Sequence, residues 1–198
     1  MAYQNLAQGL DTLCAAFDGD ALIAEGRAQE VALKVKALME SKPDAQILIF
    51  DDATGRPVEI DFAGSEEEMT RWIDSWSTRP APASTGPGRP KLGVVAREVT
   101  LLPRQWEWLS EQPGGASVAL RKLVDEARKA NAGKDAARLA QDGAYRFLVT
   151  MGGDRAGFEE ASRALFAKDR ARFEAMTEAW PLHIRDHARK LAIRSFTE

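Results

Sequence analysis

The side chains with the clearest chemical role lie in the middle of the chain, where Gly88, Arg89, Pro90 and Lys91 form a short basic run. Glycine and proline keep such a run flat and extended. A narrow peptide of this kind fits the minor groove of A·T-rich DNA, where arginine follows the groove floor. Short matches of this length also arise by chance in Pro/Gly linkers. The run therefore indicates polyanion binding only in combination with its neighbours.

The segment that follows has the punctuation of a strand and two helices. A β-branched strand is predicted over 94–103, and Pro103 is also favoured as the first residue of a helix. The turn Pro113-Gly114-Gly115 ends that helix. A second amphipathic helix then runs to about residue 130, with an apolar stripe at Ala116, Leu120, Leu123, Val124 and Ala127.

Alternation along the strand leaves two registers. In the favoured one, Val99 and Leu101 face a core beneath Trp106 and Leu109, so Ala96, Glu98 and Thr100 face outward. In the other, Arg97, Val99 and Leu101 face outward and expose two large apolar residues. The favoured register turns a carboxylate towards DNA, which opposes phosphate binding although Glu98 can accept a hydrogen bond from cytosine.

The start of the second helix supplies a further set of contacts. Its free backbone N–H groups, at Gly115 to Ser117, can hold a phosphate with Arg121 and Lys122 nearby. The predicted DNA-binding residues are therefore Gly88, Arg89, Pro90, Lys91, Arg97, Glu98, Thr100, Gly115, Ser117, Arg121 and Lys122.

The order of these parts resembles a ribbon–helix–helix unit preceded by an AT-hook-like arm. The resemblance implies a homodimer in which two strands pair and enter the major groove, with the arm on A·T-rich DNA. A lone strand with two short helices buries little surface, so it needs such a partner. The alternative is an ordinary strand–helix–helix segment of a larger fold with solvated charges.

Charge divides the chain in the same way. Residues 1–77 carry 6 Lys/Arg and 15 Asp/Glu, residues 78–131 carry 9 and 5, and residues 132–198 carry 12 and 10. An acidic head beside a basic middle is typical of a polyanion-binding segment. We predict an acidic α+β domain (1–76), a Pro/Gly linker with the GRPK arm (77–93), the ribbon–helix–helix-like unit (94–131) and a C-terminal helical region (132–198).

The head is predicted as ββαββα. Asp18-Gly19-Asp20 indicates a hairpin, a helix follows with Val31, Val35, Leu38 and Met39 on one face, and strands are expected over 46–50 and 58–62. Ser65 with Glu68 forms a capping box before a helix bearing Met69, Trp72, Ile73 and Trp76. The acidic pairs Asp51-Asp52 and Glu66–Glu68 fit a turn and a first helical turn better than a metal site.

The tail reads as helices after a break at Gly133, and Pro181 starts the last of them. His183 and His187 lie four residues apart, a spacing that can chelate zinc, but the chain has no third histidine to complete a site. We expect surface histidines on a basic face that is free to contact phosphate or the acidic head. No metal site, cofactor or catalytic motif is predicted, so we expect no enzyme.

The single cysteine, Cys14, excludes an intrachain disulfide framework and is expected to be buried. No signal peptide and no run of about 18 apolar residues is present. A cytoplasmic protein without a membrane span is therefore expected.

The runs GPGRPKLGVVAREVTLLPRQWEWLSEQPGGASVALRKLVDEARK, GFEEASRALFAKDRARFEAMTEAWP, IRDHARKLA and FDDATGRPVEIDFAGS carry a wider likeness. They resemble a bacterial domain-of-unknown-function family, number twenty-two thirty-nine, over nearly the whole chain. The resemblance implies one shared architecture and no activity. From the residues we expect a DNA-binding regulator or nucleoid-associated protein whose head senses, docks a partner or restrains the basic unit. The alternative is a protein–protein adaptor that uses the unit only to dimerise.

Overall fold

The computed structural model describes residues 12–75 and 97–197, which form an α+β protein with seven α-helices and a three-stranded sheet in these ranges. They divide into two compact units. Unit 1 contains residues 12–75 and 134–197, and unit 2 contains residues 97–133. The predicted α+β class is confirmed. The arm at Gly88, Arg89, Pro90 and Lys91 lies outside the described residues.

The sheet of unit 1 starts with the predicted hairpin. β1 (Leu13–Asp18) and β2 (Ala21–Arg27) pair antiparallel. β3 (Ile47–Asp51) pairs antiparallel with the other edge of β1, so the strand order is β2-β1-β3. β1 is therefore central, and its side chains alternate between the two faces of the sheet.

One face of the sheet packs against two helices. α1 (Ala28–Ser41) and α2 (Glu66–Asp74) bury apolar side chains there, as the predicted periodicities indicate. Met39 and Trp72, which were predicted for the buried faces of these helices, are exposed instead. We call this cluster core 2, and its buried members are Cys14, Ala16, Ala24, Ala28, Val31, Ala32, Val35, Ile49, Met69 and Ile73.

The strand predicted over 58–62 is not formed, so the predicted order ββαββα becomes ββαβα. Strand pairing is limited to one bridge, between Phe50 and Pro57, and to a hydrogen bond from the Val58 N–H to the Ile49 carbonyl (2.7 Å). The side chains of Val58, Ile60 and Phe62 pack against core 2 while partly exposed. The alternation of apolar and polar residues in this segment therefore reflects one buried side of an extended chain that forms no hydrogen-bond ladder with a partner strand.

The helices of the C-terminal half begin with a long one, α4 (Gly115–Gly152). It continues through Gly133, where the sequence predicts a break. One glycine costs a helix only about 1 kcal/mol relative to alanine, and the flanking alanines favour helix. α5 (Phe158–Phe166), α6 (Arg170–Thr177) and α7 (Leu182–Ala192) follow, and a short 3-10 turn (Ile193–Phe196) extends α7.

The second face of the sheet joins the head to the tail. Phe17 and Phe50 pack with Phe147 of α4, at ring-centroid distances of 5.6 and 5.0 Å from it. The sequence analysis assigned residues 1–76 and 132–198 to separate regions, but the two share one core. They can do so because α1 and α2 cover only one face of the sheet and leave the other face to the C-terminal helices. The buried members of this core 1 are Ala15, Phe17, Phe50, Ala144, Phe147, Leu148, Ala161, Ala164, Leu165, Phe173, Trp180, Ile184, Ala188, Leu191 and Ala192.

The loop after β3 fits closely against α4. Gly55 has a φ of +63°, and a Cβ built on it would lie 1.9 Å from the carbonyl oxygen of Gly143. The Arg146 guanidinium donates to the Thr54 carbonyl at 2.8 Å. Position 55 therefore has room only for glycine. The close contact with α4 holds the backbone between β3 and Gly55 in place.

Unit 2 begins its helical part at the predicted proline. α3 (Pro103–Ser110) is followed by a turn in which Gly114 has a φ of +88°, and then by the first half of α4. The described residues 97–102 of the predicted strand pair with no strand of the same chain. Because a ribbon strand pairs with a second copy, that part of the prediction stays a prediction.

None of the helices in residues 12–75 and 97–197 combines the length and the apolarity that crossing a membrane requires.

Candidate functional site

Three of the seven described residues that were predicted to contact DNA lie around one open groove of unit 2. Arg97, Ser117 and Arg121 line it together with apolar side chains, and its volume is about 730 Å³. The apolar part consists of Val99, Trp106, Ala116, Leu120 and Val124. Trp106 is 42% exposed and Val124 is 55% exposed. Asp125 also lines the groove, which therefore places two guanidinium groups and one carboxylate beside apolar side chains that are exposed in the described residues 97–133.

The remaining predicted contacts are placed less specifically. Glu98, Thr100 and Lys122 are exposed, and none of them lines the groove. Gly115 is the first residue of α4, and its N–H donates to the Gln112 carbonyl at 2.8 Å. The free donors at this helix start are therefore those that follow Gly115. The arm residues Gly88, Arg89, Pro90 and Lys91 lie outside the described residues.

A second, smaller pocket lies between α3 and α4 of unit 2. It has a volume of about 270 Å³, and Leu101 shares it with Leu109 and Trp108. Of the residues that the favoured register places in a core, Leu109 is buried, whereas Val99 and Trp106 are exposed in the single chain, and Trp108 is exposed as well. Leu101 thus lines the same pocket as Leu109, while Val99 lines the first groove together with Trp106.

Unit 1 contains a polar cluster that the sequence did not reveal. His187 of α7 is buried, with its side chain only 2% exposed, and its ring packs against Phe17 (5.3 Å) and Phe147 (4.7 Å). Its Nε2 lies 3.5 Å from Oδ1 of Asp52, and neither atom has a hydrogen-bond partner. The expectation of a surface histidine is therefore wrong for His187.

The charged members of this cluster tie α7 to the sheet. Lys190 Nζ donates to the Asp52 carboxylate at 2.7 Å and to Glu25 of β2 at 3.3 Å. The basic face of α7 thus contacts the acidic head, as one of the two alternatives expected. Burial lowers the pKa of Lys190, but the hydrogen bond and charge of Asp52, together with Glu25, outweigh it and raise the pKa overall.

Burial also determines the proton affinity of His187. Removing the ring from water disfavours the imidazolium form, and the Lys190 charge acts in the same direction. These effects outweigh the attraction of Asp52 and Glu25, so the pKa of His187 lies below 6.5. His187 is therefore a neutral imidazole at neutral pH.

The opposite face of the sheet holds a separate pair of groups. Asp51 pairs in register with Cys14, whose side chain lies in core 2. Burial, reinforced by the charges of Asp51 and Asp52, raises the pKa of the Cys14 thiol to about 12. Burial likewise raises the pKa of Asp51, whose Oδ2 has no partner. Cys14 is buried, as expected, and it is a thiol at neutral pH.

The arrangement does not bring metal ligands together. In residues 12–75 and 97–197 no three His, Cys, Asp or Glu side chains are placed to share a metal ion. His183 is engaged elsewhere, because its Nδ1 accepts from the Leu22 N–H at 3.0 Å.

One signal in the sequence marks the buried histidine. Ile184, His187, Ala188 and Leu191 occupy positions i, i+3, i+4 and i+7 of α7, so His187 stands within the apolar stripe of that helix. Asp52 directly follows β3, whose last residues are buried. Neither pattern states that the two residues meet, because they are 135 positions apart.

Comparison with known proteins adds a family. No curated protein and no solved structure matches the chain significantly. The model of a family described as an uncharacterized protein conserved in bacteria (DUF2239) matches residues 13–192, which include the sheet, both cores and unit 2. The chain therefore belongs to this bacterial family, DUF2239.

Proposed function

We propose that unit 2 joins two copies of the chain into a homodimer and that the dimer binds DNA. The observation that carries the proposal is the groove in which exposed Val99, Trp106 and Val124 adjoin Arg97 and Arg121. Contiguous apolar surface of this kind is typical of a contact site, and a two-fold axis lets one patch serve both partners. The charged rim, formed by Arg97, Arg121 and Asp125, then lies next to the dimer contact.

The start of α4 supplies the second support. The first turn of an α-helix has N–H groups without intrahelical acceptors, and the helix dipole favours an anion there. Ser117 lies in this turn, and Arg121 lies one turn later on the same side, since both line the groove. A phosphate at this place would meet backbone N–H groups, a hydroxyl and a guanidinium.

A second function, the protein–protein adaptor, is favoured by the charge of unit 2. Its described residues 97–133 carry six Lys/Arg and five Asp/Glu, so their net charge is only +1. Glu98 adds a carboxylate close to Arg97. In this alternative the groove still forms the dimer contact, and no nucleic acid binds.

Self-association is tested by changing one apolar side chain of the groove. Val124→Glu in the full chain is expected to give a monomer by light scattering, because two carboxylates would be buried in the contact. Val149→Glu is the matched control: it lies on the same helix, is 47% exposed and does not line the groove. A wild-type chain that stays monomeric at high concentration would contradict the proposed dimer.

DNA binding is tested by mobility shift with the full chain on A·T-rich and G·C-rich duplexes across a salt series. Arg121→Ala with Lys122→Ala is expected to weaken binding to both duplexes and to reduce the salt slope by about two, one for each lost phosphate contact. Lys34→Ala with Arg194→Ala removes the same charge from exposed positions of unit 1 and serves as control. Equal binding by both double variants would exclude the groove.

The basic arm has its own test. Arg89→Ala with Lys91→Ala is expected to weaken binding to the A·T-rich duplex more than to the G·C-rich one, because arginine is favoured in a narrow minor groove. Equal losses on both duplexes would leave the arm with a general electrostatic role. A dimer without salt-dependent DNA binding would favour the adaptor.

A further inference from the structure

The strongest candidate outside unit 2 is the contact between α7 and the sheet of unit 1. Lys190 of α7 donates hydrogen bonds to Asp52, which follows β3, and to Glu25, which belongs to β2. His187, one turn earlier, packs against the rings of Phe17 and Phe147, which also contact each other. Two side chains thus hold α7 on the sheet: the half-exposed ammonium group of Lys190 and the buried imidazole of His187.

We propose that His187, Asp52, Lys190 and Glu25 form a proton-operated latch, which holds α7 on the sheet while His187 is neutral and loosens when His187 gains a proton. The latch lies within unit 1 alone and does not depend on DNA binding.

A proton added to His187 would gain no strong hydrogen bond in the docked state. Nε2 of His187 and Oδ1 of Asp52 are both buried without partners and stand 3.5 Å apart, too far for a strong charge-assisted hydrogen bond. The other oxygen of Asp52 is held by Lys190 at 2.7 Å. An imidazolium must therefore compete with the ammonium for one carboxylate, in a space otherwise bounded by aromatic rings.

The groups that face His187 account for the direction of the effect. α7 contributes Lys190, β2 contributes Glu25 and the residue after β3 is Asp52, whereas β1 and α4 contribute only the rings of Phe17 and Phe147. Asp51 is on the other face of the sheet, as its pairing with Cys14 indicates. Burial outweighs the two carboxylates, so the proton is bound less tightly when α7 is docked than when it is released.

The sign of the pH dependence follows from this difference. The pKa of docked His187 is below 6.5, while a released, hydrated histidine has its ordinary value of about 6.5. Released α7 therefore binds more protons, and the docked state is fully favoured above that pH. The ratio of docked to released α7 falls by up to about tenfold for each pH unit below about 6.5. The fall stops at the pKa of His187 in the docked state.

Hydrogen–deuterium exchange of the full chain tests the latch. Between pH 7.5 and pH 5.5, after correction for intrinsic exchange, the protection of α7 amides is expected to fall more than that of α1 amides, by up to about tenfold. α1 is the internal reference because it packs on the opposite face of the sheet. Equal changes in α7 and α1 would overturn the proposal.

Two variants assign the effect to one side chain. His187→Gln keeps a side-chain N–H donor without a titrating ring, and it is expected to abolish the pH dependence at α7. His183→Asn is the matched control: it replaces the other histidine with a residue that can still accept from the Leu22 N–H, and it is expected to behave as wild type. Wild-type pH dependence in His187→Gln, or its loss in His183→Asn, would contradict the latch.

A measurement on the unaltered chain keeps the test valid if His187→Gln does not fold. The NMR titration midpoint of the His187 ring is expected below pH 6.5, and the α7 amide signals are expected to change with the same midpoint. A His187 midpoint at or above 6.5, or α7 signals that change elsewhere, would overturn the proposal.

Discussion

The aromatic side chains at the centre of unit 1 are buried, whereas those that line the pockets of unit 2 are exposed. In unit 1, Phe17, Phe50 and Phe147 are fully buried and contact one another. In unit 2, Trp106 and Trp108 are exposed at the two pockets that they line. The central rings of unit 1 are thus buried within one chain, whereas those of unit 2 line apolar surface that gains by association with a second molecule.

The difference extends to polar groups. Unit 1 buries His187, Asp51 and the inner oxygen of Asp52, and each has an atom without a partner. Such groups reduce stability, so their presence in a fully packed unit marks them as candidates for function. The charged groups in the described part of unit 2, residues 97–133, are exposed at the surface. Function in unit 2 is therefore expected at the surface, and function in unit 1 inside the core.

The comparison predicts unequal costs for removing an aromatic ring. Phe147→Ala is expected to lower the free energy of unfolding by about 3–5 kcal/mol, because it leaves a cavity among Phe17, Phe50 and His187. Trp106→Ala is expected to cost less than about 1 kcal/mol in the monomer and to prevent self-association. Urea unfolding at low protein concentration measures the free energy of unfolding of each variant. Light scattering at high concentration measures self-association. Similar unfolding costs would contradict the distinction between the units.

Glycine substitutions sharpen the contrast between a tight contact and a free surface. Gly55→Ala is expected to cost about 3 kcal/mol, because a Cβ would overlap the Gly143 carbonyl at a positive φ. Gly133→Ala is expected to gain up to about 1 kcal/mol, because a Cβ there meets no atom within 4 Å and α4 favours alanine. Thermal unfolding of both variants provides the measurement. A destabilised Gly133→Ala would show that this part of α4 does not behave as a simple helix.

Local structure was predictable from the sequence where neighbouring residues determine it. The hairpin at Gly19, the capping box of Ser65 and Glu68, and the helix start at Pro103 all depend on residues within one turn of each other. The prediction at 58–62 was wrong because alternation reports a buried side and not a partner strand. The break at Gly133 was wrong because the surrounding helix formers outweigh one glycine.

Long-range arrangement was not predictable from the same patterns. The contact between His187 and Asp52, and the core shared by head and tail, join residues more than a hundred positions apart. Periodicity assigns each helix a buried face without naming what covers that face. In unit 2, three of the seven described residues that were predicted to contact DNA, Arg97, Ser117 and Arg121, line one groove, and their contact with DNA stays a prediction.

Asp51 provides a pH test of the buried polar groups in unit 1. Burial raises its folded-state pKa above the ordinary value of 3.8, so the folded chain binds this proton more tightly than the unfolded chain. The resulting stability is fully present below about pH 3.8 and is lost as pH rises through the folded pKa. Asp51→Asn keeps an oxygen that can accept from the Ala53 and Thr54 N–H groups but cannot ionise.

The stability of Asp51→Asn relative to wild type is therefore expected to increase between pH 4 and pH 7. Asp44→Asn changes an exposed carboxylate of the same unit and is expected to follow the wild-type profile. Urea unfolding at three pH values measures the difference. Parallel profiles for wild type and Asp51→Asn would mean that burial of Asp51 does not affect its proton binding.

The smallest expected difference concerns how the two units begin a helix. In α2 of unit 1, the Ser65 Oγ accepts from the Glu68 N–H (3.2 Å), and the Ser65 N–H donates to Glu68 (2.8 Å). At the start of α3 of unit 2, only the second half of this box exists, from the Leu102 N–H to Gln105 (2.9 Å). Ser65→Ala is expected to cost about 1 kcal/mol and Gln105→Ala about half as much. If Gln105→Ala proves the more costly of the two, then Gln105 acts beyond the cap, and its position in the smaller pocket of unit 2 becomes the place to look for a contact across the proposed dimer.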